Sequence, residues 1–139
     1  MAFSLPSVLV VTNDEATRAA TLGALEREGY PNDSATNGED ALEKLYGRGF
    51  DVVLADTNMT GMSGLDLAES VRKEQLNTEV VLVCANPTVE TTSHALRLGV
   101  YDFLVKPLDN PQIISSLMRR LNDKVRLNRQ NQLLLRDLQ

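Results

Sequence analysis

The chain has 139 residues and a formal net charge of −5, with 42% hydrophobic and 24% charged residues, a composition typical of one soluble globular domain. It contains no apolar run near the roughly 18 residues that cross a bilayer, no signal-peptide pattern in its first residues and a single cysteine. We therefore expect a cytoplasmic protein that does not enter the membrane and has no internal disulfide.

Five short apolar segments alternate with five segments of helical periodicity along the chain. The predicted strands cover residues 8–11, 33–36, 51–55, 80–85 and 102–105. The predicted helices cover residues 15–28, 39–46, 65–74, 89–98 and 111–138. Gly29 and Gly99 follow two of these helices, at the position of C-terminal caps. The alternation predicts right-handed crossovers and one parallel sheet, with the three strands richest in Val and Leu in its centre and strand 33–36 towards an edge.

Polar side chains follow three of the predicted strands. Asn13 and Asp14 come after VLVV, Asp56 after residues 52–55, and Lys106 after DFLV. The carboxyl ends of parallel strands lie at one edge of a sheet, so Asp14 and Asp56 could share a divalent cation such as Mg²⁺, beside a lysine that neutralises anionic oxygens. Each acid could instead cap a helix or start a turn, but the three aligned strand ends favour a small metal-assisted phosphate site.

The last predicted helix is long for a domain of this size. At about 1.5 Å per residue it spans roughly 40 Å, whereas the radius of gyration of such a domain is about 14 Å, so we expect its far end to project. Apolar residues follow a heptad seam with a polar middle of Lys124, Asn128 and Asn131; they are Ile114, Leu117, Leu121, Leu135 and Leu138. A coiled coil and an amphipathic helix that packs on the sheet as far as Val125 are both open.

Charge is distributed unevenly between the body and this helix. Residues 1–110 include 8 basic and 17 acidic side chains, a net charge of −9, whereas residues 111–139 include 6 basic and 2 acidic side chains, a net charge of +4. The acidic body argues against direct nucleic-acid binding by this domain. The basic helix is interpreted as a solvated face, with contact to a phosphate backbone as the alternative.

Three segments together resemble the receiver domain of two-component response regulators: VLVVTNDEATR, DVVLADTNMTGMSGLDL and VVLVCANPTVETTSHALRLGVYDFLVKPL. The resemblance covers about residues 5–121. It implies an α/β fold of the flavodoxin-like, doubly wound type, (βα)5, with a five-stranded parallel sheet and an extended C-terminal helix. We expect a receiver domain over residues 1–121 and a helical extension over residues 122–139 that leads to an output domain beyond the end of the sequence.

The resemblance also implies roles for individual residues. Asp56 would accept a phosphoryl group from a histidine kinase or a phosphotransfer protein, and Lys106 would pair with the phosphoryl oxygens. Asp14, Asp56 and the backbone carbonyl of Asn58 would bind Mg²⁺. The Lys106–Pro107 bond is a candidate for the cis form, which is frequent at this place in the family.

The sequence departs from the family pattern at three positions. Asn13 stands where the first of two adjacent acids is usual, so Mg²⁺ should bind more weakly, with the amide in a weak or water-mediated role. Cys84 stands at the switch position that is normally Thr or Ser, and a thiol is a weaker hydrogen-bond donor than a hydroxyl. Thr60 replaces a common loop proline. Phe103 falls at the aromatic switch position, and a core aromatic is the alternative.

The leading hypothesis is a phosphoryl-accepting receiver that regulates an attached output domain, with transcriptional activators of the AAA+ ATPase class favoured over cyclic-dinucleotide phosphodiesterases. It would lose its phosphate to water and would not be a turnover enzyme. The alternative is a phosphorylation-independent pseudo-receiver that works as a protein–protein interaction module. A stand-alone phosphoester hydrolase ranks last, because the sequence lacks an additional acid–base residue or a substrate pocket for it. His94, the only histidine, falls on a predicted helix far in sequence from the acids, which argues against a Ser-His-Asp site or a His-rich metal cluster. A homodimer through the last helix is a further expectation.

Overall fold

The computed structural model describes residues 4–138, which form one parallel sheet covered by helices on both faces. The strands are β1 (Val8–Val11), β2 (Asn32–Ala35), β3 (Val52–Asp56), β4 (Glu79–Cys84) and β5 (Asp102–Val105). The helices are α1 (Glu15–Arg27), α2 (Gly38–Gly47), α3 (Gly64–Lys73), α4 (Val89–Arg97) and α5 (Pro111–Asp137). Every predicted element is present, and no boundary differs from the prediction by more than one residue.

The sheet has the strand order β2-β1-β3-β4-β5, and all four pairings are parallel. The chain therefore goes from β1 outward to β2 at one edge of the sheet. It then returns to β3 on the other side of β1 and continues through β4 to β5 at the opposite edge. This reversal leaves a crevice beyond the carboxyl ends of β1 and β3, where ligands bind in open α/β sheets. The doubly wound prediction is confirmed, and so are the edge position of β2 and the central position of β1, β3 and β4.

Two apolar clusters hold the helices on the sheet. On one face, α1 and α5 pack on alternate residues of the central strands, with Leu25, Leu117 and Leu121 fully buried. On the other face, α2, α3 and α4 cover the remaining strand residues, with Leu67 and Leu82 fully buried. The three central strands are buried along both faces, which is why they contain almost unbroken runs of Val and Leu.

The predicted heptad seam is wrong for the first part of α5. Its residues Ile114, Leu117 and Leu121 lie in the core against the sheet, so they are not available to a second helix. Burial continues to Val125 and then stops, as the amphipathic-helix alternative predicts. The helix runs without a break across residue 121, and its last turns have exposed leucines.

Two details of the chain path match the sequence prediction. Gly29 and Gly99 have φ angles of +80° and +75°, the left-handed conformation expected at helix C-terminal caps. The Lys106–Pro107 peptide bond is cis. No helix within residues 4–138 has both the length and the apolar character that crossing a membrane requires.

Candidate functional site

Asp56 is the last residue of β3, and its side chain is buried at the carboxyl edge of the sheet with 2% exposure. One oxygen, Oδ2, accepts hydrogen bonds from Thr12 Oγ1 at 3.0 Å and from Lys106 Nζ at 2.6 Å. The other oxygen, Oδ1, accepts one from the Asn58 backbone N–H at 3.0 Å. The buried carboxylate is thus compensated by an ammonium and fixed in orientation by two further donors.

Lys106 connects Asp56 to the second predicted acid. It lies just past β5, where its backbone N–H donates to the Cys84 carbonyl at 2.9 Å. Its Nζ is 3.0 Å from Asp14 Oδ2 as well as 2.6 Å from Asp56 Oδ2. Burial alone would lower the pKa of the Lys106 ammonium, but its bonds to Asp56 and Asp14 outweigh burial and raise that pKa above the ordinary value.

Asp14 has a structural task in addition to this ion pair. It is the N-cap of α1, and its Oδ1 accepts from the backbone N–H of Ala16 at 3.1 Å. Its Oδ2 accepts from Thr17 Oγ1 at 2.8 Å. The bond from Thr17, followed by the one from Lys106, lowers the pKa of the Asp14 carboxyl from 3.8 to about 2. Asp14 is therefore ionised at neutral pH, and most of its acceptor positions are already engaged.

Thr12 is the residue of this site that sequence reasoning missed. Its side chain is 1% exposed, and its hydroxyl donates to Asp56 and accepts from the Asp14 backbone N–H at 3.0 Å. The available signal was a hydroxyl residue directly after the four apolar residues of β1, at the carboxyl edge of the sheet. Asn13, which the sequence analysis placed at the metal, is exposed beside it.

The remaining predicted residues are Cys84, Phe103, Asn58 and His94, and of these Asn58 bonds directly to Asp56. Cys84 ends β4 as a buried free cysteine with 6% exposure. Phe103 on β5 is half-buried and packs against the cluster that includes α4. Asn58 offers its N–H to Asp56. His94 lies on α4, as predicted.

Close packing beneath the site depends on Gly64, the first residue of α3. A Cβ atom added there would lie 2.5 Å from the Asp56 carbonyl oxygen and 2.9 Å from its carbonyl carbon. Only glycine allows the α3 terminus to approach the Asp56 backbone this closely. The residue thereby sets the position of the loop after Asp56.

Taken together, the site has two carboxylates and one ammonium, a net charge of −1, at the crevice of a doubly wound sheet. Such a site can attract a cation and can hold a buried carboxylate as a nucleophile. Within residues 4–138, no three His, Cys, Asp or Glu side chains gather into a group that could hold a metal ion.

Comparison with known proteins shows to which family the chain belongs. Residues 8–118 match the family model described as the response regulator receiver domain. The chain belongs to the receiver domain family. The matched segment includes the whole sheet and both acids of the site, and it ends within the buried part of α5.

Curated relatives of this receiver domain are longer regulatory proteins. A putative response regulator NtrX-like of Rickettsia bellii is 30% identical over 130 residues, covering 92% of this chain and 27% of the relative. The transcriptional regulatory protein ZraR of Klebsiella oxytoca is 33% identical and the regulatory protein AtoC of Escherichia coli 32% identical, each over 114 residues. Those matches cover 81% and 82% of this chain, and the chain spans only 26% and 25% of the two relatives.

Solved structures show the same fold. A CheY-like response regulator receiver domain protein from Methanospirillum hungatei superposes with a TM-score of 0.83 at 26% identity, covering 90% of this chain and 99% of that one. NtrX from Brucella abortus gives a TM-score of 0.83 at 26% identity over 95% of this chain and 30% of that protein. The receiver domain is thus nearly the whole of the first protein and the part of NtrX that resembles the present chain.

Proposed function

We propose that this receiver accepts a phosphoryl group on Asp56 from a histidine kinase or a phosphotransfer protein and thereby regulates an attached output domain. The observation that carries the proposal is the contact between Lys106 Nζ and Asp56 Oδ2 at 2.6 Å at the carboxyl edge of the sheet. The transcriptional regulators among the relatives favour a transcriptional activator as the output domain, in the cytoplasm.

The reaction follows from the arrangement of donors around Asp56. A carboxylate oxygen forms the bond to phosphorus while the bond from phosphorus to the donor nitrogen breaks. Lys106 then has a doubly charged phosphoryl group beside it in place of a carboxylate, and its ammonium stabilises that charge. Water later cleaves the acyl phosphate, which returns Asp56 and inorganic phosphate, so the chain is not a turnover enzyme.

Magnesium fits this site as a weakly held ion. Mg²⁺ commonly binds one or two carboxylates and retains several waters, which Asp56, Asp14 and the Asn58 carbonyl could satisfy with Asn13 in a water-mediated role. When bound, the ion neutralises phosphoryl oxygens. Lys106 already bridges both carboxylates and Asp14 caps α1, so an ion must compete with these contacts.

The metal proposal is tested with Asn13→Asp, which adds a carboxylate at the exposed residue between Thr12 and Asp14. We expect Mg²⁺ to bind the parent weakly and the variant more tightly, by about 1 kcal/mol at a partly solvated site. Titration of thermal midpoints with MgCl₂ measures both affinities without phosphorylation. Equal midpoint shifts in the two proteins would place residue 13 outside the metal's surroundings.

A phosphorylation-independent pseudo-receiver is the second candidate, and Thr12 favours it. A neutral hydroxyl lies against Asp56, and the Thr12 and Lys106 bonds satisfy the carboxylate without any ligand. Such a closed cluster could preserve the fold for protein–protein interaction alone. The two candidates differ in one respect: only the first requires chemistry at Asp56.

Phosphorylation by a small-molecule donor separates these candidates. The wild-type chain and Asp56→Asn are incubated with acetyl phosphate and Mg²⁺, and intact mass is followed over time. The proposed function predicts one added phosphoryl group on the wild type and none on the variant. A wild type that stays unmodified at saturating donor supports the pseudo-receiver.

We also propose a homodimer, on a surface that keeps only Asn131 and Leu138 of the predicted seam. Leu127, Leu134 and Leu138 are 58%, 61% and 83% exposed and lie on one face of α5 with Asn131, at alternating spacings of four and three residues. This is a short heptad seam, in which one asparagine favours a defined register. Sedimentation should show a dimer that Leu134→Gln abolishes and Leu96→Gln, an exposed leucine on α4, does not. A dimer unchanged by Leu134→Gln would contradict this surface.

A further inference from the structure

Three acids mark the amino-terminal ends of neighbouring strands, at the opposite edge of the sheet from Asp56. Asp51 directly precedes β3, Glu79 is the first residue of β4, and Asp102 is the first residue of β5. Each is paired with a basic residue of α5. The pairs are Arg129–Asp51 at 2.9 Å, Lys124–Glu79 at 3.1 Å and Arg120–Asp102 at 3.4 Å.

The order of the pairs follows the order of the strands. Along α5 from Arg120 to Arg129, the paired acids belong to β5, then to β4, and then to the residue before β3. The helix therefore crosses the amino-terminal ends of these three strands. With 3.6 residues per turn, Lys124 and Arg129 lie on opposite flanks of the buried stripe of Leu121 and Val125. Ion pairs therefore hold the helix on both sides of its buried stripe.

Further contacts fix two of these pairs, those of Lys124 and Arg129. The Lys124 ammonium lies 5.1 Å from the centre of the Tyr101 ring, a cation–π contact. Asp51 Oδ2 also accepts from the Ser7 backbone N–H at 3.0 Å, and Arg129 Nη1 donates to the Ser4 carbonyl at 3.3 Å. The bond from Ser7 orients the Asp51 carboxylate independently of α5. Less side-chain entropy is therefore lost when Asp51 pairs with Arg129, and this loss is what usually makes surface ion pairs weak.

Apolar burial cannot hold this part of the helix by itself. Val125 is the last buried residue of α5, and residues 130–138 are all exposed. Within residues 4–138, the Arg129–Asp51 pair is the ion pair closest to the end of α5. Beyond Val125, the Arg129–Asp51 pair adds a charged contact that can orient the continuous helix on the domain.

We propose that the acidic amino-terminal edge of the sheet, formed by Asp51, Glu79 and Asp102, is a docking surface for the basic segment of α5 from Arg120 to Arg129. The docked helix leaves the domain in one direction, as a rigid arm and not as a flexible linker. A module attached to it then has a fixed position relative to the receiver. The surface lies at the far end of the sheet from Asp56, so the proposal does not depend on phosphorylation.

Hydrogen exchange on the whole chain tests the docking. Charge reversal in Arg129→Glu should speed amide exchange in residues 122–133 by about threefold to tenfold, because an attraction becomes a repulsion. Asp51→Arg should do the same, and the double variant should recover most of the protection. Arg136→Glu, a charge reversal in the exposed last turn of the same helix, is the matched control and should leave residues 122–133 unchanged.

Single reversals that do not change exchange, or a control with the same effect as Arg129→Glu, would overturn the proposal. If Asp51→Arg does not fold, Asp51→Asn and Arg129→Gln replace the reversals, because asparagine can still accept from Ser7. Their effects on exchange must then be non-additive, as for two partners of one interaction. Additive effects would show that the two residues act separately and would equally overturn the docking.

Discussion

The Thr12 hydroxyl connects two parts of the site that the sequence presents separately. It donates to Asp56 and accepts from the Asp14 backbone, and both distances are 3.0 Å. Asp14, Asp56 and Lys106 could be found from the sequence because charged residues stand out after apolar strands. A threonine does not stand out there, since β-branched residues are common in strands for reasons of packing alone.

Substitution of Thr12 should affect both stability and reactivity. Thr12→Val removes the acceptor of the part-buried Asp14 N–H and one donor to the buried Asp56 carboxylate, so unfolding in urea should show a loss of about 1–2 kcal/mol. The rate of phosphorylation by acetyl phosphate should fall because Asp56 is less well oriented. Thr12→Ser retains the hydroxyl and should restore the rate. Equal rates for Thr12→Val and Thr12→Ser would show that the hydroxyl does not orient Asp56.

The depressed pKa of Asp14 predicts acid sensitivity in a defined window. Its pKa is about 2 in the fold and 3.8 ordinarily, so the folded state favours the ionised form. The stability from this carboxylate is present above pH 3.8 and is lost as pH falls towards about 2. Asp14→Asn should flatten the fall of the thermal midpoint between pH 4 and pH 2. Glu69→Gln, at an exposed residue of α3, is the control; an identical acid profile in both variants would contradict the role of Asp14.

At the level of elements, periodicity and turn residues were sufficient for all five strands and five helices. They were not sufficient for α5, because an apolar stripe does not reveal whether it faces a sheet or a second helix. Ile114 and Leu121 are compatible with both until the sheet is assembled. The ion pairs of α5 were equally hidden, since Arg129 and Asp51 are far apart in sequence and meet only through the topology.

The contact between α3 and β3 gives an element-level prediction. Gly64→Ala would place a methyl group 2.5 Å from the Asp56 carbonyl oxygen, so α3 must shift away from the strand end. We expect a loss of about 1–3 kcal/mol in unfolding free energy and slower phosphorylation. Gly47→Ala, where nothing lies within 4 Å of the added Cβ, is the matched control. A Gly64→Ala protein as stable and reactive as that control would refute the close approach.

Across the whole molecule, the carboxyl and amino ends of the strands have different roles. The carboxyl edge gathers Asp14, Asp56 and Lys106, and the amino edge holds α5 by ion pairs. A phosphoryl group on Asp56 would shift an equilibrium between two conformations only as far as it contacts them differently. Cys84, a buried thiol at the end of β4, is a weak donor for such a contact.

Cys84→Thr should therefore increase the response to a phosphoryl mimic. With beryllofluoride and Mg²⁺, the variant should show a larger change than the parent in hydrogen exchange of α4 and β5, because a hydroxyl can bond to the bound anion. Cys84→Ala has no donor and is the control. A Cys84→Ala response as large as that of Cys84→Thr would show that residue 84 does not transmit the signal.

Chemical mapping of the phosphorylated residue tests phosphoryl acceptance by Asp56 most directly. After incubation with acetyl phosphate and Mg²⁺, borohydride reduces an acyl phosphate to the alcohol, and peptide mass spectrometry then locates homoserine in place of aspartate. The position of Asp56, buried against Lys106 and Thr12, predicts homoserine at residue 56 alone. Homoserine at Asp14 or another acid, or no modification at saturating donor, would contradict phosphoryl acceptance by Asp56.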